Sequence, residues 1–343
     1  MSDPERIVIV GASLAGARAA EGARDAGFGG EILLIGEEPE RPYERPPLSK
    51  EYLRGEKDDL AWVHDESFYP EKNIDLRTST FISGIDPGNR TVLIEGGDPE
   101  PFDRLLLATG CEPRQIDVPG ADLDGIHYLR TSVDSARLGE HFREGTKVVV
   151  VGAGWIGSEV AASARQEGCE VTLVEPQEVP LERVLGTDIG GVFRDLHLEK
   201  GVDFKSGTGV EAFIGDGSVT AVKTTAGEIP ADLVVVGVGA VPRTGLAEMI
   251  GLTVNNGVPV DAGLRTEAEG IYAAGDIAKE QLATALQAAV GEMLANLERQ
   301  DRLVAMGRIS AGVAHEIRNP LAAVAQANAL LQEDALRADQ QRL

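Results

Sequence analysis

The sequence predicts an α/β protein: two Rossmann-like dinucleotide-binding domains, the first of them discontinuous, followed by one long C-terminal α-helix. Three observations predict it. A β-branched run at residues 6–10 leads into a glycine turn and an alanine-rich helix; the same device recurs from residue 147; and residues 279–343 place apolar side chains at coiled-coil spacing.

In the first unit, RIVIVGASLAG (residues 6–16) sets a strand directly before Gly11, Ser13 and Gly16. Glycine at the first position lets the chain turn sharply, and glycine at the third lets the helix pack closely on the strand. Ser13 stands where the backbone comes nearest a pyrophosphate, a place usually held by glycine. A second strand, EILLIGEE, ends at Glu37, 26 positions beyond Gly11, where a carboxylate can accept hydrogen bonds from an adenosine ribose; Glu38 could serve instead. One such turn would equally suit an ordinary tight βα connection. The repeat speaks against that. KVVVVGAGWIG (residues 147–157) carries all three glycines, Gly152, Gly154 and Gly157, and its second strand ends at Glu175, 23 positions after Gly152. A carboxylate at Glu175 repels a 2′-phosphate, which favours NADH over NADPH.

The length of 343 residues and 43% hydrophobic content allow two or three cores. A net charge of −24 disfavours nucleic acid and anionic lipid as partners. The opening MSDPERIVIV has acids where a signal peptide carries positive charge, and its apolar run is too short to span a bilayer, so a cytoplasmic protein with no membrane span is expected. Cys111 and Cys169 lie 58 positions apart and form no C-x-x-C pair. His64, His127, His141 and His197 show no ligand spacing, so they read as packed or solvated and no metal site is expected.

Three further stretches, DRLLLATG (103–110), ADLVVVGVGAVPRT (231–244) and GIYAAGDIA (270–278), are apolar strands that end in small-residue turns. Their order around the two glycine turns, together with RPYERPPLSKEYL, closely resembles the FAD-dependent ferredoxin and rubredoxin reductases over residues 5–278. The resemblance implies an FAD domain built from residues 1–113 and 242–278, around an NAD domain of residues 114–241. It implies FAD held by Gly11, Ser13, Gly16, Glu37, Arg45, Lys50, the turn Ala108, Thr109 and Gly110, and Asp276, with NADH on Gly152, Gly154, Gly157 and Glu175. Lys50 would sit at the isoalloxazine edge with Glu159 as its carboxylate partner, the two forming the catalytic pair. Residues 38–60 contain neither the cysteine pair of disulfide reductases nor the lone cysteine of peroxidases of this fold. Electrons from NADH would therefore pass through FAD to an external iron–sulfur protein of ferredoxin or rubredoxin type.

From Lys279 the pattern changes. Leu286, Val290, Met293, Leu297 and Val304 fall at a and d spacing, which predicts a long amphipathic helix and a homodimer through it. Residues 301–334, containing AHEIRNPL, resemble the first helix of a histidine-kinase dimerisation and phosphoacceptor domain. That resemblance implies His315 as phosphoacceptor, Glu316 as the neighbouring acid and Asn319 as the phosphatase position. The 343 residues hold neither the second helix nor the ATP-binding domain of such a module. Two alternatives to a reductase follow: a redox-sensing kinase fragment reporting through His315, or a truncated or fused chain with no complete activity.

Overall fold

The structure, a computed structural model, describes residues 6–280. The chain forms two compact units: Met1–Pro259 with Arg265–Ala278, and Val260–Leu264 with Lys279–Leu343. The helix expected over residues 279–343, its dimer seam, and His315, Glu316 and Asn319 lie outside the described residues. Of the second unit, the described part includes a turn in which the Leu264 amide donates to the Asp261 carbonyl at 2.9 Å. No helix among the described residues is long and apolar enough to cross a membrane.

In chain order, the elements of the first unit's two five-stranded sheets, and of one separate antiparallel strand pair, begin with β1 (Arg6–Val10), α1 (Leu14–Asp25), β2 (Glu31–Ile35), β3 (Ile74–Arg77), β4 (Arg104–Leu107), β5 (Cys111–Pro113) and β6 (Ile126–His127). They continue with β7 (Lys147–Val151), α2 (Trp155–Gln166), β8 (Glu170–Val174), α3 (Glu182–Glu199), β9 (Asp203–Lys205), β10 (Leu233–Val236), β11 (Ala240–Pro242) and β12 (Ile271–Ala273). The first sheet is ordered β12-β4-β1-β2-β3 and the second β9-β8-β7-β10-β6, with every pairing parallel. β12 comes from the far end of the chain and completes the sheet that β1 starts.

Parallel strands covered on both faces should read as unbroken apolar runs, and these do. Val8, Ile9 and Val10 in β1, and Val148 to Val151 in β7, are buried throughout. Their stiff β-branched side chains suit a pleated, packed surface. In the first sheet the chain leaves β1, builds one side with β2 and β3, and returns to build the other; in the second, β8 and β9 follow β7 on one side and β10 returns on the other, next to β6, which precedes β7 in the chain. A crevice therefore opens at the carboxyl end of β1 and again at that of β7, the topological switch points where ligands of open α/β sheets bind.

Between β2 and β3 the chain makes an excursion that contains a 3-10 turn at Pro46–Ser49. Tyr43, Leu48 and Leu53 from it are buried in one core with Leu138, Val148, Val160 and Leu173 of the second sheet's domain. The excursion is thus packed into the neighbouring domain, and this holds the two sheets in a fixed relation.

His197, in the last turn of α3, is buried, and burial holds its imidazole below the ordinary value of 6.5. His127 shifts the same way, through burial and then through the nearby His141. The unfolded chain takes up protons that these folded sites refuse. Stability is accordingly full above pH 6.5 and declines as pH falls from there through the depressed folded values. Melting temperatures should drop by a few degrees across that window, and His197→Leu should flatten the drop. A decline identical to that of the parent chain would count against His197 as a source.

Candidate functional site

Both glycine turns fall where their sheets open. Gly11 has φ of 119°, and a Cβ there would lie 2.1 Å from the Ala108 carbonyl oxygen; Gly152, at φ of 94°, faces the Gly237 carbonyl in the same way. A Cβ on Gly16 would lie 2.0 Å from the Gly11 oxygen, and one on Gly157 would lie 1.9 Å from the Gly152 oxygen. These four glycines are required by the protein itself. Gly154 is different: a Cβ there would approach no protein atom closer than 4.0 Å. Its missing side chain leaves space beside the first turn of α2, where a ligand's phosphate can reach the backbone. Ser13 holds the matching N-cap position of α1 in extended backbone. Neither α1 nor α2 has a side-chain cap or an acid in its first turn, so the amides there are not taken by local carboxylates. Both sites therefore fit a pyrophosphate.

At the end of β8, Glu175 accepts hydrogen bonds from the amides of Ala153 (2.7 Å) and Gln177 (3.0 Å). The acid predicted from spacing is thus fixed against the Gly152–Gly154 turn. Two donors leave lone-pair positions on its oxygens for a ribose hydroxyl.

Lys50 and Glu159 meet. Lys50 Nζ donates to Glu159 Oε2 at 2.9 Å and to the Pro46 carbonyl at 3.0 Å. Ser49, buried and next to Lys50, donates to the same Glu159 oxygen at 2.5 Å. Ser163, one turn beyond Glu159 on α2, donates back to the Ser49 carbonyl at 2.7 Å. The 3-10 turn of the first domain is so fastened at two points to the helix of the second. The pair lies across the join between the two domains.

Around the crevice of the first sheet, three carboxylates each face a guanidinium. Glu38 receives Arg45 (2.5 Å) and the Tyr43 hydroxyl (2.5 Å). Arg45 also donates to the Arg130 carbonyl at 2.6 Å, and its Nε is buried with no partner among the described residues. Burial, the largest single influence, would lower the Arg45 pKa, but Glu38 and Tyr43 together outweigh it and the guanidinium is held more firmly charged than usual. Burial, offset in part by Arg45, pushes the Tyr43 phenol up to about 12. Asp276 receives Arg130 at 3.0 Å and the Cys111 thiol at 3.1 Å. Burial above all raises that thiol to about 11, so Cys111 is not a thiolate nucleophile at neutral pH. Glu37 is held by both terminal nitrogens of Arg243, one of them at 2.9 Å. The turn Ala108, Thr109 and Gly110 closes the crevice floor, with the Thr109 hydroxyl donating to the Arg243 carbonyl at 2.7 Å.

Of the predicted site residues, Lys50 and Glu159 are brought into contact, Glu175 stands against the Gly152–Gly154 turn, and Gly11 lies against Ala108. The sequence reading missed Arg130, Arg243, Ser49 and Ser163. Arg130 stands just before the capping box of Thr131 and Asp134, and Arg243 lies in the quoted AVPRT turn, yet nothing in spacing marks a cation that pairs with an acid far along the chain. Among the described residues no group of three or more His, Cys, Asp or Glu is placed to hold a metal.

This architecture is the α/β fold of the FAD/NAD-binding oxidoreductases. The pyridine nucleotide-disulphide oxidoreductase family matches residues 5–292, and the chain belongs to it. It is 42% identical over 275 residues to rhodocoxin reductase of Rhodococcus erythropolis, covering 79% of this chain and 64% of that protein. It is 40% identical to the ferredoxin–NAD(+) reductase component of the anthranilate 1,2-dioxygenase system of Burkholderia cepacia, with 80% and 68% covered. Among solved structures, the covalent putidaredoxin reductase–putidaredoxin complex superposes with a TM-score of 0.78 at 36% identity, covering 81% of this chain and 69% of that one. The chain thus spans about two thirds of the length of these relatives.

Proposed function

We propose that the chain is an FAD-dependent reductase that takes electrons from NADH and delivers them to an iron–sulfur protein of ferredoxin or rubredoxin type. The observation that carries this reading is the Lys50–Glu159 pair, which joins the excursion of one dinucleotide domain to the first helix of the other. FAD, when bound, supplies the chemistry of accepting two electrons and releasing them one at a time. The relatives point the same way, being a rhodocoxin reductase, a ferredoxin–NAD(+) reductase component and a protein crystallised with putidaredoxin.

In this reading Gly11, Ser13 and Gly16 give the FAD pyrophosphate a close approach to the first turn of α1, and Gly152, Gly154 and Gly157 do the same for NADH at α2. Arg130 and Arg45 add positive charge near the phosphates, while Asp276 and Glu37 accept from hydroxyls. Lys50, held by Glu159 and the Pro46 carbonyl, would offset the negative charge that a bound flavin gains on reduction. Glu159 and Ser49 keep its ammonium from swinging away. With the described cysteines too basic and too isolated to relay electrons, the exit is to another protein. Purified chain loaded with FAD should reduce an added ferredoxin or rubredoxin at the expense of NADH. Flavin that NADH reduces but that no iron–sulfur protein reoxidises faster than oxygen would defeat the acceptor assignment.

Glu175 gives the cofactor preference. Glu175→Ala should narrow the advantage of NADH over NADPH by about tenfold, since a like-charge clash costs on the order of 1–2 kcal/mol at a part-buried site. Steady-state kcat/KM for the two cofactors measures this, and an unchanged ratio would remove Glu175 from the role.

A further inference from the structure

Arg243 belongs to neither glycine turn nor the catalytic pair, yet it occupies a telling position. Its backbone is locked onto the Ala108–Gly110 turn: its amide donates to the Gly110 carbonyl at 2.9 Å and its carbonyl accepts the Thr109 hydroxyl at 2.7 Å. That turn follows β4, on one side of β1. Glu37 follows β2, on the other side. The two-nitrogen ion pair between them therefore ties the turn after β4 to the loop after β2, the two strands that flank β1. The neighbourhood is acidic, with Glu38 and Asp276 already matched by Arg45 and Arg130, and Glu112 standing 4.0 Å from Arg243 Nε. Without Arg243, Glu37 and Glu112 would present uncompensated negative charge to an anionic pyrophosphate. With it, Glu37 is fixed in orientation and its net field is cancelled. Paired guanidinium and carboxylate groups retain hydrogen-bonding positions on the carboxylate oxygens for ribose hydroxyls.

The geometry points to Arg243 as a positioning residue that, through Glu37, straps the adenosine half of the dinucleotide and so selects FAD over FMN. This rests on the flavin reading given above. The expected contribution is modest because both side chains are partly exposed and solvent screens the pair. A planar two-nitrogen contact is something lysine cannot reproduce.

The test compares binding, not turnover. Flavin-free full-length chain, Arg243→Ala, Arg243→Lys and Glu37→Gln are titrated with FAD and with FMN by the quenching of flavin fluorescence, and each variant's melting curve is recorded. FMN shares the isoalloxazine, ribityl chain and one phosphate but lacks the adenosine half. Arg243→Ala should weaken FAD by about tenfold and leave FMN unchanged, with Arg243→Lys intermediate. A chain carrying both Arg243→Ala and Glu37→Gln, titrated in the same way, should lose no more than the worse of its two single changes, as partners in one contact do. Equal weakening of FAD and FMN, or no weakening of FAD, overturns the strap while leaving the flavin reading intact. A parent chain that binds neither flavin overturns both. Should Arg243→Ala fail to fold, Arg243→Lys and Glu37→Gln, which keep side-chain bulk, decide by the same FAD-to-FMN ratio.

Discussion

Gly154→Val is expected to abolish reduction by NADH while leaving flavin content unchanged and the fold intact. A Cβ at this position meets open space out to 4.0 Å, so the fold loses only the better helix N-cap, which costs about 1 kcal/mol and a few degrees of melting temperature at most. The ligand loses more: an isopropyl group beside the first turn of α2 fills the place where the nicotinamide cofactor's phosphates approach the backbone. Loss of that contact and the resulting overlap should weaken NADH by at least about 100-fold, or roughly 3 kcal/mol. Gly152→Val is the instructive contrast. A positive φ and a carbonyl 2.6 Å from the new Cβ make that change destabilise the fold as well, so its effect on activity would not isolate the cofactor. Rapid-mixing measurements of flavin bleaching across NADH concentrations check the prediction. Gly154→Val that still reduces at the parental rate, or that loses flavin together with NADH, would mean the second turn does not hold the nicotinamide cofactor.

Lys50→Met is expected to slow reduction of the bound flavin by about 100-fold with little change in flavin content, the size of effect seen when one pre-positioned group facing developing charge is removed. Methionine keeps most of the stem's bulk, so the excursion that buries Leu48 and Leu53 should stay packed. Glu159 would keep its bond to Ser49 but lose the one from the ammonium. Glu159→Gln should do less, because Ser49 and an amide oxygen can still orient the ammonium. Single-turnover rates separate the two, and a Lys50→Met rate equal to the parent's would show the pair to be a structural tie only.

How much of this was legible follows from what each feature depends on. The two glycine turns are local: the contact that demands Gly16 is with Gly11, five residues earlier, and the sequence alone exposes such a constraint. Lys50 and Glu159, 109 positions apart, were brought together only by family resemblance, because no periodicity links a 3-10 turn to a helix of another domain. Arg130 and Arg243 escaped for the same reason, their partners lying 146 and 206 positions away. Glu37 and Glu38 could not be told apart by counting from Gly11. The structure separates them through their cations, since Glu38 turns to Arg45 and Glu37 to Arg243. The return of β12 to the first sheet depends on the packing of a whole intervening domain, which no window of sequence contains.

The most direct measurement is an anaerobic titration of the purified, FAD-loaded chain with NADH, following the visible flavin absorbance. The two crevices, joined at Lys50 and Glu159, predict that the colour bleaches stoichiometrically and returns when an electron acceptor is added. A chain that binds FAD tightly yet keeps its full absorbance through an excess of NADH would contradict the claim that the two dinucleotide sites work on one another.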